Sequence, residues 1–116
     1  MKSRIMYVEH KGRSLVGAGR IGRVTFSHTG RTVYYGGRSL LRSKSGYKWN
    51  YFDVDTGEHY WVSGCKKSGE DSLYPAVVQI DEDVREEYWT TIRNCPERVR
   101  EKAFRSEGKH TGRKPR

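Results

Sequence analysis

Two segments of alternating apolar and polar residues share one design and predict two β-hairpins. Each has β-branched and aromatic arms around a short polar centre that ends in Thr-Gly, and the segments span residues 21–35 and 49–62. A type I turn closed by a glycine in the left-handed region fits both centres. Gly30 and Gly57 are therefore expected at positive φ, where a side chain costs energy.

The second hairpin carries aromatic residues on both of its faces. A register that sets Asp53 opposite His59 places three apolar side chains on one face: Phe52, Tyr60 and Val62. The other face then carries Trp49, Tyr51 and Trp61. Only one face of a small sheet can be core, so this second set is expected either to be exposed or to lie beneath a helix.

Shorter patterns complete the β-rich part of the chain. Residues 4–9 and 73–80 read as strands, and Pro75 favours an edge position or the start of its strand. Residues 11–20 and 64–72 are polar or glycine-rich and predict loops, and residues 36–46 predict a mobile cationic loop between the hairpins.

A helix is predicted over residues 82–94, with Asp81 as its N-cap. Val84, Tyr88 and Ile92 recur at i, i+4 and i+8, which places them on one helical face. A second, basic helix over residues 96–104 fits the pattern, and residues 105–116 are expected to be disordered because they lack an apolar stripe.

These elements predict a mainly β fold. We expect a small SH3-like or OB-like barrel, or a curled antiparallel sheet, with one C-terminal helix capping an open end and a basic tail. A chain of 116 residues has room for one domain. We place that domain at residues 1–97 and a helical or disordered basic tail at residues 98–116.

Charge is unevenly distributed along the chain, whose net charge is +9. Residues 1–48 carry +10, residues 49–98 carry −6 and residues 99–116 carry +5. A basic lobe of this kind attracts polyanions. The alternative is that the acidic middle folds back and neutralises it.

Exposed aromatics beside arginine and lysine are how proteins stack and hold single-stranded nucleic acid. The sequence therefore predicts a nucleic-acid site in which basic side chains contact phosphates and aromatic side chains stack on bases. Its predicted residues are Arg20, Arg23, Arg31, Arg38, Arg42, Lys44, Lys48, Trp49, Tyr51 and Trp61.

Two other chemistries have weaker support. Gly17, Gly19 and Gly22 match the spacing of a dinucleotide fingerprint, but a strand pattern follows instead of a helix, so flexible loop glycines fit better. Lys66 and Lys67 would lower the pKa of Cys65. With the predicted Asp53–His59 pair, Cys65 could then form a nucleophilic site.

No metal or cofactor is expected. The acidic turn at residues 53–58 lacks the bidentate glutamate of a calcium loop, and the cysteines and histidines lack the spacing of a zinc site. The N-terminus has no apolar run and no segment approaches the length of a membrane span. We therefore expect a cytoplasmic protein with free thiols and no membrane partner.

Four stretches resemble a family of small uncharacterised bacterial proteins over residues 4–97. They begin at Ala18 (AGRIGRVTFS), Asn50 (NYFDVDTGE), Tyr60 (YWVSGCKK) and Ile80 (IDEDVREEYW). Some relatives carry the label 1-deoxy-D-xylulose-5-phosphate synthase, a large thiamine-diphosphate enzyme. Nothing in this sequence would bind that cofactor, so we treat the label as a misannotation, and the resemblance implies no activity.

The sequence thus favours a non-enzymatic module that binds nucleic acid, DNA or RNA, through its basic lobe. One alternative is a protein–protein adaptor that uses the acidic helix and an aromatic face. Another is a small ligand-binding protein or enzyme that uses the Cys65 loop.

Overall fold

A computed structural model describes residues 1–14, 16–44 and 48–108. Within these residues the chain forms eight strands: β1 (Ser3–Gly12), β2 (Ala18–Phe26), β3 (Thr32–Tyr35), β4 (Arg38–Arg42), β5 (Tyr51–Asp53), β6 (His59–Gly64), β7 (Ala76–Ile80) and β8 (Ala103–Ser106). Short helical turns follow β7 at Glu82–Val84, Arg85–Glu87, Tyr88–Ile92 and Pro96–Arg98.

The first six strands close into an antiparallel barrel. The sheet runs β1-β6-β5-β4-β3-β2, and β1 also pairs with β2, which joins the two ends of this series. Each of these neighbours is antiparallel. The prediction of a mainly β, SH3-like or OB-like barrel is confirmed.

One edge of the long strand β2 pairs with β1, and the other edge pairs with two different strands. Its last residues, Thr25 and Phe26, pair with β3, whereas residues 19–21 pair in parallel with β7. Strand β8 pairs with the far side of β7. The sheet therefore branches at the middle of β2, and β7 and β8 form an arm outside the barrel.

Residues 103–106 form strand β8, which corrects the prediction of a basic helix up to residue 104 and of disorder from residue 105. Phe104 is 5% exposed and its ring stacks on that of Tyr88 at 5.6 Å. A strand of four residues with one large apolar side chain is too short to produce a pattern in the sequence. Residues 109–116 of the predicted tail lie outside the described residues.

Both hairpins are present, and both glycines have positive φ, 78° at Gly30 and 77° at Gly57. The predicted register of the second hairpin is wrong by one residue. Asp53 donates its backbone N–H to Glu58 O at 2.9 Å, and Tyr51 pairs with Tyr60. A shift of one residue exchanges the two faces of a strand, so Tyr51 faces the core and Phe52 does not.

Two apolar cores lie on opposite faces of β1 and β2. Met6, Val8 and Val24 belong to the core inside the barrel. The alternate residues Ile5, Tyr7 and Ile21 belong to a second core outside it, together with residues of the arm and the helical turns. The helical turns therefore cover the outer face of the barrel, which corrects the prediction that a helix caps an open end.

The predicted helix is confirmed in position but ends at residue 92 and not at 94. It starts with a 3₁₀ turn and ends with a π turn, in which Arg93 N–H donates to Tyr88 O at 2.9 Å. Val84 and Tyr88 are fully buried, as their spacing predicts. Trp89, which is not part of the predicted stripe, lies in the π turn and is also fully buried.

Two predicted loops contain strands. Residues 38–42 form β4, although the segment 36–46 was expected to be a mobile loop, and residues 45–47 lie outside the described residues. Gly19 and Gly22 lie within β2 and are not flexible loop positions. Both positions need a glycine because neighbouring side chains leave no room for a Cβ. On Gly19 it would lie 2.7 Å from the Tyr7 side chain, and on Gly22 it would approach both Asp81 and the Tyr35 ring to 2.4 Å.

Candidate functional site

The basic residues of the predicted site lie at two opposite ends of the barrel. Their positions along the strands show which end each one occupies. Arg38 begins β4 and Arg42 ends it. Arg20 lies near the start of β2, about 20 Å of strand away from Phe26 at its end. The two ends differ in how their cations are paired.

At one end, which we call the paired mouth, the guanidinium of Arg20 binds Asp81. Arg20 Nε donates to Asp81 Oδ1 at 2.7 Å, and the hydroxyl of Tyr35 donates to Oδ2 of the same carboxylate. Burial and this hydrogen bond raise the pKa of Tyr35 well above its usual value. The absence of a side chain at Gly22 gives this network its space.

A second ion pair at the paired mouth joins Arg38 to Asp53, whose side chain is 1% exposed. Arg38 Nη1 donates to Asp53 Oδ2 at 2.7 Å, and the backbone N–H of Asp55 donates to Oδ1 at 2.8 Å. The backbone hydrogen bond from Asp55, together with Arg38, lowers the pKa of Asp53. This carboxylate is therefore ionised and holds Arg38 in place.

His10 and Tyr60 complete the wall of the paired mouth. Their rings stack at 4.6 Å, and His10 Nε2 lies 2.7 Å from Glu58 Oε1. The cavity between them and the two ion pairs has a volume of about 480 Å³. Its arginines already have carboxylate partners, so it offers little uncompensated positive charge.

Arg23 is also paired, because its Nη2 lies 3.0 Å from Glu87 Oε1 on the outer face of the barrel. For Arg20, Arg23 and Arg38 the acidic middle of the chain does fold back and neutralise the basic lobe. Neutralisation of the basic lobe by acids is therefore observed at the paired mouth and at Arg23 on the outer face.

The opposite end of the barrel, the basic rim, is built from four backbone segments joined by hydrogen bonds. Phe26 N donates to Lys2 O at 2.7 Å, Arg42 N donates to Arg31 O at 2.8 Å, and Ser43 N donates to Asn50 O at 2.8 Å. The segments are residues 1–4, 26–32, 42–44 and 48–50. Their cationic side chains, all exposed, are Lys2, Arg4, Arg31, Arg42, Lys44 and Lys48.

The basic rim contains no acidic residue in any of its four segments. Among the described residues, Lys2, Arg4, Arg31, Arg42 and Lys44 form no ion pair with a carboxylate. These five side chains therefore carry positive charge that no carboxylate of the described residues neutralises, and the positions of the acids in the sequence do not by themselves reveal this.

The three predicted stacking residues have three different environments. Tyr51 is 5% exposed in the barrel core, so its ring does not belong to an exposed aromatic face. Trp61 is half-buried against the outer core. Trp49 is half-buried beside the basic rim, and its ring stacks on that of His59 with centroids 3.7 Å apart and planes 6° apart.

Two aromatic residues next to the basic rim are missing from the predicted site. Phe52 lies on the outer face beside Trp49, with ring centroids 6.5 Å apart. Phe26 lies at the end of β2, half-buried on the edge of the barrel core. The correct register would have revealed Phe52, but for Phe26 the only signal was its position at the end of an alternating strand.

The Cys65 site that the sequence suggested is not assembled. Burial, with Asp71 nearby, raises the pKa of the Cys65 thiol to about 12, so it is protonated at neutral pH. Its Sγ lies 3.7 Å from Ile5 O. Asp53 is bound to Arg38 and His59 to the Trp49 ring, so neither is paired with the other.

Among residues 1–14, 16–44 and 48–108 no helix is long and apolar enough to cross a membrane. In the same part of the chain no three His, Cys, Asp or Glu side chains cluster closely enough to hold a metal ion. No protein-family model, curated protein or solved structure matches this chain.

Proposed function

We propose that this protein binds nucleic acid through the basic rim and acts without catalysing a reaction. The observation that carries the proposal is the rim itself: exposed cations on hydrogen-bonded backbone segments that contain no acid. Phosphates of a nucleic-acid backbone are the polyanion that such a rim suits, because each contact releases condensed counterions.

The position of Trp49 supports the same proposal. It follows Lys48 directly and lies one residue before Asn50, whose carbonyl is part of the rim. Stacking on His59 holds the indole ring in a fixed orientation, so a base would meet an ordered aromatic surface. Phosphate contacts and base stacking would then come from adjacent residues.

The paired mouth is a poorer candidate for polyanions. A phosphate would have to compete with the carboxylates of Asp81 and Asp53, which are already bound to the guanidinium groups. The predicted contacts of Arg20, Arg23 and Arg38 with nucleic acid are therefore left out of the proposal. The rim residues Arg31, Arg42, Lys44 and Lys48 remain in it.

The test compares two double variants that remove the same charge. Arg31→Gln/Arg42→Gln removes rim cations and Arg20→Gln/Arg38→Gln removes paired ones. Affinity for a labelled oligonucleotide is measured by fluorescence anisotropy at several salt concentrations. The rim variant should bind all sequences more weakly and reduce the slope of log K against log salt by about 0.7–0.9 per lost phosphate contact.

Arg20→Gln/Arg38→Gln should have the same slope of log K against log salt as the wild type. Circular dichroism verifies that this variant is folded. Equal loss of slope in both variants would mean that net charge, and not the rim, attracts the nucleic acid. If no DNA or RNA binds at low salt, the proposal fails and a protein–protein adaptor becomes the better account.

A further inference from the structure

A cavity of about 700 Å³ opens beside the basic rim where β2 ends. Phe26 is the aromatic side chain in its wall, and Ser27 and Thr29 contribute hydroxyl groups from the following turn. Three basic side chains line it as well, Lys2, Arg4 and His28, and no acidic residue does so. Its volume lies in the range of small-molecule binding sites.

Short hydrogen bonds hold the wall of the cavity in place. Phe26 N donates to Lys2 O at 2.7 Å, which fixes the N-terminal segment beside the ring. The turn is closed by Ser27 N, which donates to Thr32 O at 2.8 Å, and by Gly30 N, which donates to Ser27 O at 2.9 Å. Phe26 also packs against the barrel core, and this contact holds its side chain in position.

We infer that this cavity receives one unpaired base of a single-stranded nucleic acid, which packs against Phe26. The inference rests on the proposed nucleic-acid function of the basic rim. A base in a duplex presents only its edges in the grooves, whereas an unpaired base presents a face that an aromatic ring can stack on. A concave, acid-free cavity with one aromatic wall suits the unpaired base.

The rim connects this cavity to Trp49. Strands β2, β3, β4 and β5 lie side by side, and adjacent strands are about 4.8 Å apart, so the path from Phe26 to the start of β5 is about 14 Å. Arg31 and Arg42 lie along this path. A short single strand would thus meet an aromatic side chain at each end and cations between them.

The test measures anisotropy for a labelled single strand and for the duplex of the same length, with wild type, Phe26→Leu and Tyr74→Leu. Tyr74 is the matched control, since its ring is 49% exposed and lines a different cavity. The wild type should bind the single strand more tightly than the duplex. Phe26→Leu should lose about 5- to 150-fold in single-strand affinity, the equivalent of one stacked base, with no change in the salt slope.

Tyr74→Leu should bind both forms as the wild type does. A second measurement needs no variant: the ring protons of Phe26 should shift upfield in NMR spectra when the unlabelled single strand is added. Absence of that shift would overturn the inference even if Phe26→Leu proved too unstable to use.

The outcomes separate this inference from the proposed function. Equal, salt-dependent binding of single strand and duplex, with no effect of Phe26→Leu, would overturn the base site and leave the rim as a phosphate-binding surface. No binding of either form would overturn the proposed function. A Phe26 shift caused equally by inorganic phosphate and by the single strand would show that the cavity binds a free anion and not a base.

Discussion

The two ends of the barrel use arginine for different purposes. At the paired mouth, Arg20 and Arg38 each bind a carboxylate from a distant part of the chain, Asp81 and Asp53. At the basic rim, the backbone N–H of Arg42 donates to the carbonyl of Arg31, and neither guanidinium group is paired with a carboxylate of the described residues. The same residue type thus contributes to the structure of the fold at one end and remains accessible to a partner at the other.

This difference follows from the residues in the turns that connect the strands at each end of the barrel. The turns and branch near the paired mouth contain acids, because residues 53–58 and 81–83 lie there. The turns near the basic rim contain serine, threonine, histidine and glycine at residues 27–30, and their backbone groups close the turns without a carboxylate. The carboxylates of Asp53 and Asp81 therefore neutralise cations of the paired mouth, whereas none of the four segments of the basic rim contains an acid.

The largest effect that would sharpen the comparison is expected at Gly22. In Gly22→Ala the new Cβ would approach Asp81 Oδ2 and the Tyr35 ring to 2.4 Å, and neither group can move without breaking the Arg20 network. We expect a loss of about 1–3 kcal/mol in the free energy of unfolding, measured by urea denaturation.

Gly64→Ala is the matched control for this variant. Gly64 also lies in a strand, and a Cβ there would approach only the flexible tip of Arg4, at 3.4 Å. Its stability should change by less than about 0.5 kcal/mol. Equal losses in both variants would mean that the paired mouth is no more tightly packed than the rest of the sheet.

The elements that could be predicted from the sequence are those with local signals. The two Thr-Gly turns fixed the hairpins, and the spacing of Val84 and Tyr88 located the helical turns. The register of the second hairpin depended on the Asp53 side chain, which accepts hydrogen bonds from the backbone N–H groups of Asp55 and Thr56 and so sets where the turn begins. An error of one residue there moved Tyr51 from the core to the surface.

The pairing of cations could not be predicted in the same way. Arg20 and Asp81 are sixty-one residues apart, and they meet only because β7 pairs with β2 in parallel. Nothing in the local sequence distinguishes Arg38, which has a partner, from Arg42, which has no carboxylate partner among the described residues. Net charge along the chain therefore predicted an anionic partner but not which end would meet it.

A second prediction concerns the pH dependence of the paired mouth. The pKa of Asp53 is lowered in the folded protein, so its ionised form stabilises the fold above the unfolded pKa of about 3.9. That contribution is lost as pH falls through the folded pKa. Asp53→Asn should therefore be less stable than wild type at pH 7, and the difference should shrink as pH falls below about 4.

Thermal unfolding of both proteins followed from pH 7 to pH 2 measures this difference. Asn keeps an oxygen that can accept the backbone N–H of Asp55, so the variant isolates the charge facing Arg38. A difference in melting temperature that stays constant over this pH range would show that the Asp53 carboxylate does not stabilise Arg38 through its charge.

The smallest expected effect is at the basic rim, and it has the opposite sign. Cations without carboxylate partners repel one another, so Arg31→Gln/Arg42→Gln should leave the free energy of unfolding unchanged or raise it by up to about 0.5 kcal/mol. The gain should be largest at low salt, because salt screens charges at the surface. Arg20→Gln/Arg38→Gln should lower stability under the same conditions, since Asp81 and Asp53 would lose their partners. Urea denaturation of both variants at two salt concentrations distinguishes the ends, and a stability loss at the rim equal to that at the mouth would mean that the rim arginines also stabilise the fold.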